Sequence, residues 1–157
     1  MKTTNKPNTT PSALENHLGF WMRFVSNQVS ARFESELAAH DVSVTEWVAL
    51  RVLYSEAIVT HAGLIDALGM TKGAASKVIS RLEAKALLTR DFVDGGARDQ
   101  VLNLTATGRR LVPKLSKVAD QNDDYFFAHL GDKKRQALIA DLQTLVAHHQ
   151  MKQVPLK

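Results

Sequence analysis

Residues 68–105, LGMTKGAASKVISRLEAKALLTRDFVDGGARDQVLNLT, constrain this chain more than any other stretch. The order reads as turn, helix, strand, glycine-tipped hairpin, strand. Gly69 follows an apolar run of Ala62, Leu64, Ile65 and Leu68, a place where glycine takes a left-handed backbone angle without steric cost. Two residues on, Thr71 has a hydroxyl able to cap a new helix. A helix, a short glycine-containing turn and a second helix have helix-turn-helix spacing. That spacing alone is a weak signal.

The second helix, expected over Thr71–Ala86, says more. Ala75, Val78, Ile79, Leu82 and Ala86 recur at helical spacing and predict a core face. The opposite face has Lys72, Ser76, Lys77, Ser80 and Arg81, with small Gly73 and Ala74 near the start. Lys and Arg reach phosphates and guanine edges, and Ser or Thr bonds either phosphate or base. Small residues in the first turn let backbone approach a groove, and the helix N-terminus favours phosphate. The bland alternative is an amphipathic helix with a solvated basic face.

The hairpin beyond the helix weighs against that alternative. Leu87–Val93 is apolar and partly β-branched, Asp94-Gly95-Gly96 supplies turn residues, and Val101, Leu102 and Leu104 resume the apolar pattern. Arg98 falls near the hairpin tip, where a guanidinium can meet a phosphate or the minor groove. Between positions 71 and 98, Lys72, Lys77, Arg81, Lys85, Arg90 and Arg98 stand against Glu83, Asp91 and Asp94. This localised excess of positive charge suits a polyanion.

With these residues in view, the run from Thr71 to Arg90, then Arg98, Leu102, Leu104, Thr105 and Gly108, resembles the MarR family of bacterial transcriptional regulators. The likeness extends from about Leu14 to Gln150. It implies that Thr71–Ala86 is a recognition helix, that the hairpin is the wing of a winged helix, and that the protein is a homodimer. It implies DNA contacts from Thr71, Lys72, Gly73, Ala74, Ser76, Lys77, Ser80, Arg81 and Arg98. One position departs: the acid usual two residues before the wing arginine, which steadies the wing, is Gly96 here, with Asp94 and Asp99 as nearby substitutes. The resemblance also implies release from DNA by a small, often aromatic, anionic effector. An aromatic wall with a polar or cationic group suits such a ligand, which makes His17, Trp21 and Trp47 the candidates. Core packing is the competing role for both tryptophans, and for Trp47 it is the primary one.

The expected fold is mainly α (α+β): a winged helix-turn-helix with a small antiparallel β wing and N- and C-terminal dimerisation helices. A chain of 157 residues is enough for one domain with a proper core. Residues 1–11 and 153–157 are expected to be tails. Residues 12–152 form the domain, with 12–40 and 106–152 as dimerisation helices and 41–105 as the DNA-binding lobe. From Ser12 to about His40 a stripe of Leu14, Leu18, Trp21, Val25, Val29, Phe33 and Leu37 predicts one helix of about 40 Å. A small winged-helix core cannot cover all of it, nor Phe20, Met22 and Phe24. Asp41–Thr45 is a link, Glu46–Ser55 a helix with Trp47, Leu50, Leu53 and Tyr54, and Ile58–Val59 a short strand before a Thr60 cap. Ala106–Leu130 and Asp132–Gln150 are two further helices, capped by Thr105 and Asp132 and separated by Gly131, with Pro113 expected to kink the first or shift its start. Leu138, Leu142, Leu145 and Val146 stripe the last. Surplus apolar surface at both ends points to pairing; the alternative is a monomer whose outer helices pack only on one another.

Composition narrows the chemistry. No apolar run reaches membrane-spanning length and no signal-peptide pattern opens the chain, so the expected location is the cytoplasm. The absence of cysteine removes disulfides, thiolate metal ligands and a cysteine-based peroxide sensor. His17, His40, His61 and His129 are scattered, and adjacent His148 and His149 point about 100° apart on a helix, so no metal is expected. There is no Gly-rich phosphate loop, nucleophile elbow or His-Glu-x-x-His, so neither an enzyme nor a cofactor is expected. The net charge of +4 suits DNA. The partners expected are therefore double-stranded DNA with a pseudo-palindromic operator, a second copy of the chain and a small-molecule effector. The competing class is a small-molecule-binding or protein-interaction module of the same fold that has lost DNA binding.

Overall fold

Four consecutive helices start on a hydroxyl, and these starts set the architecture. The computed structural model describes residues 11–56, 59–92 and 100–151. Helix α1 spans Leu18–Ala38, α2 Val44–Ser55, α3 His61–Leu68, α4 Lys72–Ala84, α5 Ala106–Phe127 and α6 Gly131–His148. Strands β1 (Val59–Thr60), β2 (Leu88–Phe92) and β3 (Gln100–Leu104) form one antiparallel sheet in the order β1-β3-β2. Short 3-10 turns at Leu14–Asn16 and Ala128–Leu130 precede α1 and α6. The side chains of Ser43, Thr60, Thr71 and Thr105 accept hydrogen bonds from the third helical residue of α2, α3, α4 and α5, so each helix has an otherwise orphan N–H satisfied locally.

At Ser43 the cap is reciprocal: the Ser43 backbone N–H donates to Glu46 Oε2 at 2.9 Å. That cap starts α2 at Val44, two residues before the expected Glu46. Gly69 takes the left-handed geometry expected of it, with φ 59°.

The core joins one end of α1 (Leu37), α2 (Trp47, Ala49, Leu50, Leu53), α3 (Leu64, Leu68), α4 (Ala75, Val78, Ile79, Leu82), the sheet (Val59, Leu88, Leu102, Leu104) and the first half of α5 (Val112, Leu115). Helix α6 contributes no buried residue. Farther along α5, buried Asn122 accepts from Arg32 Nη1 at 3.1 Å and donates to the Val29 carbonyl at 3.2 Å, which ties α5 to α1.

Several expectations are corrected. The first helix does not run unbroken from Ser12: His17 is extended, with φ −98° and ψ 122°, and α1 begins at Leu18. At 21 residues it is about 31 Å long, not about 40 Å. Helix α4 ends at Ala84, and Ala86 leaves the core face because the chain turns there with φ 55°. Asp132 is not a cap. Leu130 holds that position without a side-chain bond, because the chain enters α6 through a 3-10 turn and Gly131 at φ 70°. Pro113 lies inside α5 and does not move its start from Ala106. Of the Ile58–Val59 strand, Val59 is in β1 and Ile58 lies outside the described residues.

Candidate nucleic-acid interface

Helix α4 buries Ala75, Val78, Ile79 and Leu82 and turns its other face outward. Thr71, Lys72, Gly73, Lys77, Ser80 and Arg81 are exposed, while Ala74 and Ser76 are half-buried. The structure thus brings the candidate residues of this helix onto one continuous surface. A Cβ built on Gly73 meets nothing within 4 Å. Packing does not require glycine there, and its smallness leaves the first turn open to an approaching backbone. Thr71 Oγ1 accepts from the Ala74 N–H at 3.3 Å, and Lys72 is the first residue of the helix.

Neighbouring elements hold several of these side chains. Ser76 Oγ lies 3.3 Å from His61 Nε2 at the start of α3. Ser80 Oγ accepts from Arg90 Nη2 at 2.9 Å, and the same nitrogen pairs with Glu83 at 2.8 Å. Arg90 therefore braces β2 against α4, and its buried Nε finds no acceptor among the described residues. His61 is held below the ordinary histidine pKa of 6.5, first by burial and then by the positive charges of Arg90 and Lys72.

Arg81 pairs through Nε with Glu46 Oε1 at 3.3 Å. Glu46 is only 2 % exposed. Lys85 Nζ meets Glu46 Oε2 at 3.1 Å and also donates to the Asp41 carbonyl. Burial by itself would raise the Glu46 pKa; the Ser43 N–H, Lys85 and Arg81 together outweigh it and hold the carboxylate below 4.5. Glu46, Arg90 and His61 were not among the sequence candidates. The capping-box spacing Ser43-x-x-Glu46 was the one available signal for Glu46, and it points to a helix start rather than to a partner on α4.

Arg98, Asp94, Gly95, Gly96 and Asp99 lie outside the described residues. Strands β2 and β3, which lead to and from them, pair in register from Leu88↔Leu104 to Phe92↔Gln100.

The aromatic candidates are divided between two places. Trp47 is buried in the lobe core, with the Arg51 guanidinium 5.8 Å from its ring centroid. Trp21 is 48 % exposed on α1, its Nε1 donating to the Glu15 carbonyl at 2.9 Å. It borders an apolar groove of about 390 Å³ with Leu18, Met22, Val25, Phe127 and Leu142, and neither His17 nor Trp47 lines that groove. His17 Nδ1 faces the Ala13 and Leu14 carbonyls, and Nε2 lies 3.2 Å from Ser12 Oγ. No helix among the described residues is long and apolar enough to cross a membrane.

Comparison with known proteins agrees with this geometry. The MarR family matches residues 40–99, which covers α2 to β2 and stops just before β3. Transcriptional regulator HosA of Escherichia coli O111:H- is 23% identical over 124 residues, covering 79% of this chain and 90% of HosA. Among solved structures, Bordetella bronchiseptica BpsR, described with regulation of its DNA binding by 6-hydroxynicotinic acid, superposes with a TM-score of 0.73 at 22% identity, covering 87% of this chain and 97% of that one. The S. aureus MepR–DNA complex superposes with a TM-score of 0.74 at 20% identity, covering 84% of this chain and 98% of that one.

Proposed function

We propose that this chain, whose residues 40–99 match the MarR family and whose fold is that of MarR-type winged helices, is a homodimeric repressor that binds a pseudo-palindromic operator. The observation that carries the proposal is the outward face of α4, where Lys72, Lys77, Ser80 and Arg81 stand together on a helix whose other face is core. In this reading α4 enters the major groove, where Lys77 and Arg81 meet phosphate or guanine, while Ser76 and Ser80 bond phosphate or base. Thr71, Lys72, Gly73 and Ala74 bring the helix N-terminus against a phosphate. Arg98 acts from the wing. Two such helices in a dimer enter successive major grooves, with half-sites about 10 base pairs apart. Pairing is supported by the apolar surface that α1 and α6 leave open at Leu18, Phe24, Ile139 and Val146.

A small aromatic anion is the proposed effector. The regulation of BpsR by 6-hydroxynicotinic acid and the p-coumaroyl-CoA complex of CouR are its precedents. Trp21 and its groove are the candidate wall, with His17 a polar group at the start of the same helix but outside the groove, while Trp47 packs in the lobe core. Such a ligand relieves repression only if it prefers a dimer whose recognition helices are wrongly spaced for DNA.

Selection of bound duplexes from random DNA tests the central reading and yields the operator at once. The expected result is an enriched inverted repeat. Enrichment of no sequence above background would favour a module of this fold that has lost DNA binding. Titration of the purified protein–operator complex with 6-hydroxynicotinic acid tests the effector class, and release of DNA is the expected result.

A further inference from the structure

Glu46 joins the N-terminal turn of α2 to the C-terminal half of α4, and the modest gain of a carboxylate at a helix N-terminus is smaller than the cost of burying one. In a capping box, glutamine satisfies the Ser43 N–H as well as glutamate does. Burying a carboxylate costs several kcal/mol, and even a well-paired buried ion pair often adds no net stability over neutral packing. A negative charge beneath a DNA-binding helix also opposes the approach of a polyanion. Its compensation is specific. One oxygen takes Lys85 at 3.1 Å, and the other takes Arg81 through Nε at 3.3 Å. Arg81 stays 57% exposed along its side chain while so held, and the pairing leaves Nη1 and Nη2 uncommitted to Glu46.

We propose that Glu46 is a positioning residue for DNA reading, one that holds Arg81 by Nε so that its two terminal nitrogens are presented to the operator in one orientation. The inference rests on the reading of α4 as the recognition helix. An arginine on an exposed helix otherwise samples many rotamers, and ordering it at the moment of binding has an entropic cost. With that cost already met by a buried partner, a planar fork can discriminate a guanine edge and not merely neutralise a phosphate. Lys85 has the complementary task. It neutralises the second oxygen and, through the Asp41 carbonyl, anchors the same cluster to the link between α1 and α2.

The test is a double-mutant cycle on the full-length dimer, read as affinity for the selected operator and for an unrelated duplex. Glu46→Gln keeps the cap and the shape, and it removes the charge. Positioning predicts that operator affinity falls about tenfold while affinity for the unrelated duplex is unchanged or rises, since a negative charge has gone. In an Arg81→Ala background the same substitution should then change operator affinity by less than about twofold. Equal losses on both duplexes, or additive effects in the cycle, would overturn the inference and show Glu46 to be structural. Should Glu46→Gln fail to fold, Arg81→Lys is the alternative variant, because it keeps the charge and lacks the Nε donor. It should lose operator preference while retaining affinity for the unrelated duplex, and an unchanged preference would overturn the inference. If the wild-type protein selects no sequence at all, the DNA-binding reading fails and takes this inference with it. Selection by the wild type with an additive cycle sinks only the role of Glu46.

Discussion

Gly108 lies so close to Leu87 that a Cβ built on it would fall 2.2 Å from the Leu87 carbonyl oxygen. The same imaginary atom would be 3.3 Å from Leu104 Cδ2. This contact is where the lobe meets the outer helices. Leu87 precedes β2, Gly108 is in the first turn of α5, and Thr105 between them donates its hydroxyl to the Ala86 carbonyl at 2.7 Å. Any rotation of α5 against the sheet passes through this close approach.

Gly108→Ala should therefore destabilise the protein, since the clashing atom belongs to backbone and cannot swing aside. About 3 kcal/mol is expected for such overpacking, or a melting point lower by about 6–12 °C for a chain of this size. Gly19→Ala is the control, because nothing lies within 4 Å of its Cβ position in α1, and it should be neutral or stabilising by about 0.5–1 kcal/mol. Equal melting points for the two variants would refute the Gly108 constraint.

Stability should decline with acid in two stages. His61 is held below 6.5 in the folded protein, so as pH falls through 6.5 the unfolded chain takes up a proton that the native state resists, and stability drops. Glu46 is held below 4.5, so its contribution is complete above 4.5 and is lost as pH falls from there through its folded value. Thermal unfolding followed between pH 8 and 3 would show this, with His61→Gln flattening the upper stage and Glu46→Gln the lower. A melting point that does not change over that range would contradict both assignments.

Leu142 lines the groove between α1 and α6 beside Trp21 and Val25. If a second copy covers this surface, Leu142→Asp places an unpaired charge in the covered interface, where it is strongly disfavoured. Sedimentation should find a monomer at concentrations where the parent protein is a dimer, with the helical signal of the lobe retained. Persistence of a dimer would place the pairing surface elsewhere.

Lys77 is exposed on α4 and has no salt-bridge partner among the described residues. Lys77→Ala should weaken operator binding without altering the melting point. If the ammonium meets a phosphate, the slope of log affinity against log salt should become shallower by about one. A lysine that reads a base edge would instead relax selectivity at one operator position while the slope changes less.

Much of the lobe was legible because its signals are local. Gly69, Thr71 and Thr105 each act on residues two or three positions away, so their spacing alone reveals turn and caps. The core face of α4 was evident from periodicity as far as Leu82, and it failed at Ala86, where a positive φ has no residue signature in an alanine. The break at His17 was hidden because Leu14, Leu18 and Trp21 keep helical spacing across it. The pairing of Glu46 with Arg81 was illegible for a different reason. It joins two helices distant in sequence, and only the packing of α2 on α4 brings the carboxylate beneath the guanidinium. For the same reason the sequence placed Arg81 on the DNA-contact face and counted Arg90 in the basic excess without showing that both are held in place.

The hydroxyl caps divide the molecule in time as well as in space. Helices α2, α3, α4 and α5 each have their own start signal, whereas α1 and α6 begin at His17 and Leu130 with no side-chain bond. Helix nucleation is the costly step, and a local cap lowers it where the residues already stand. The lobe is thus the part expected to nucleate early, and α6, which buries nothing within one chain, the part that gains order from a partner. Amide exchange in α6 should then slow as protein concentration rises, while exchange in α4 stays constant until the whole protein unfolds. On this view the protein's effective stability is a property of how many copies a cell contains.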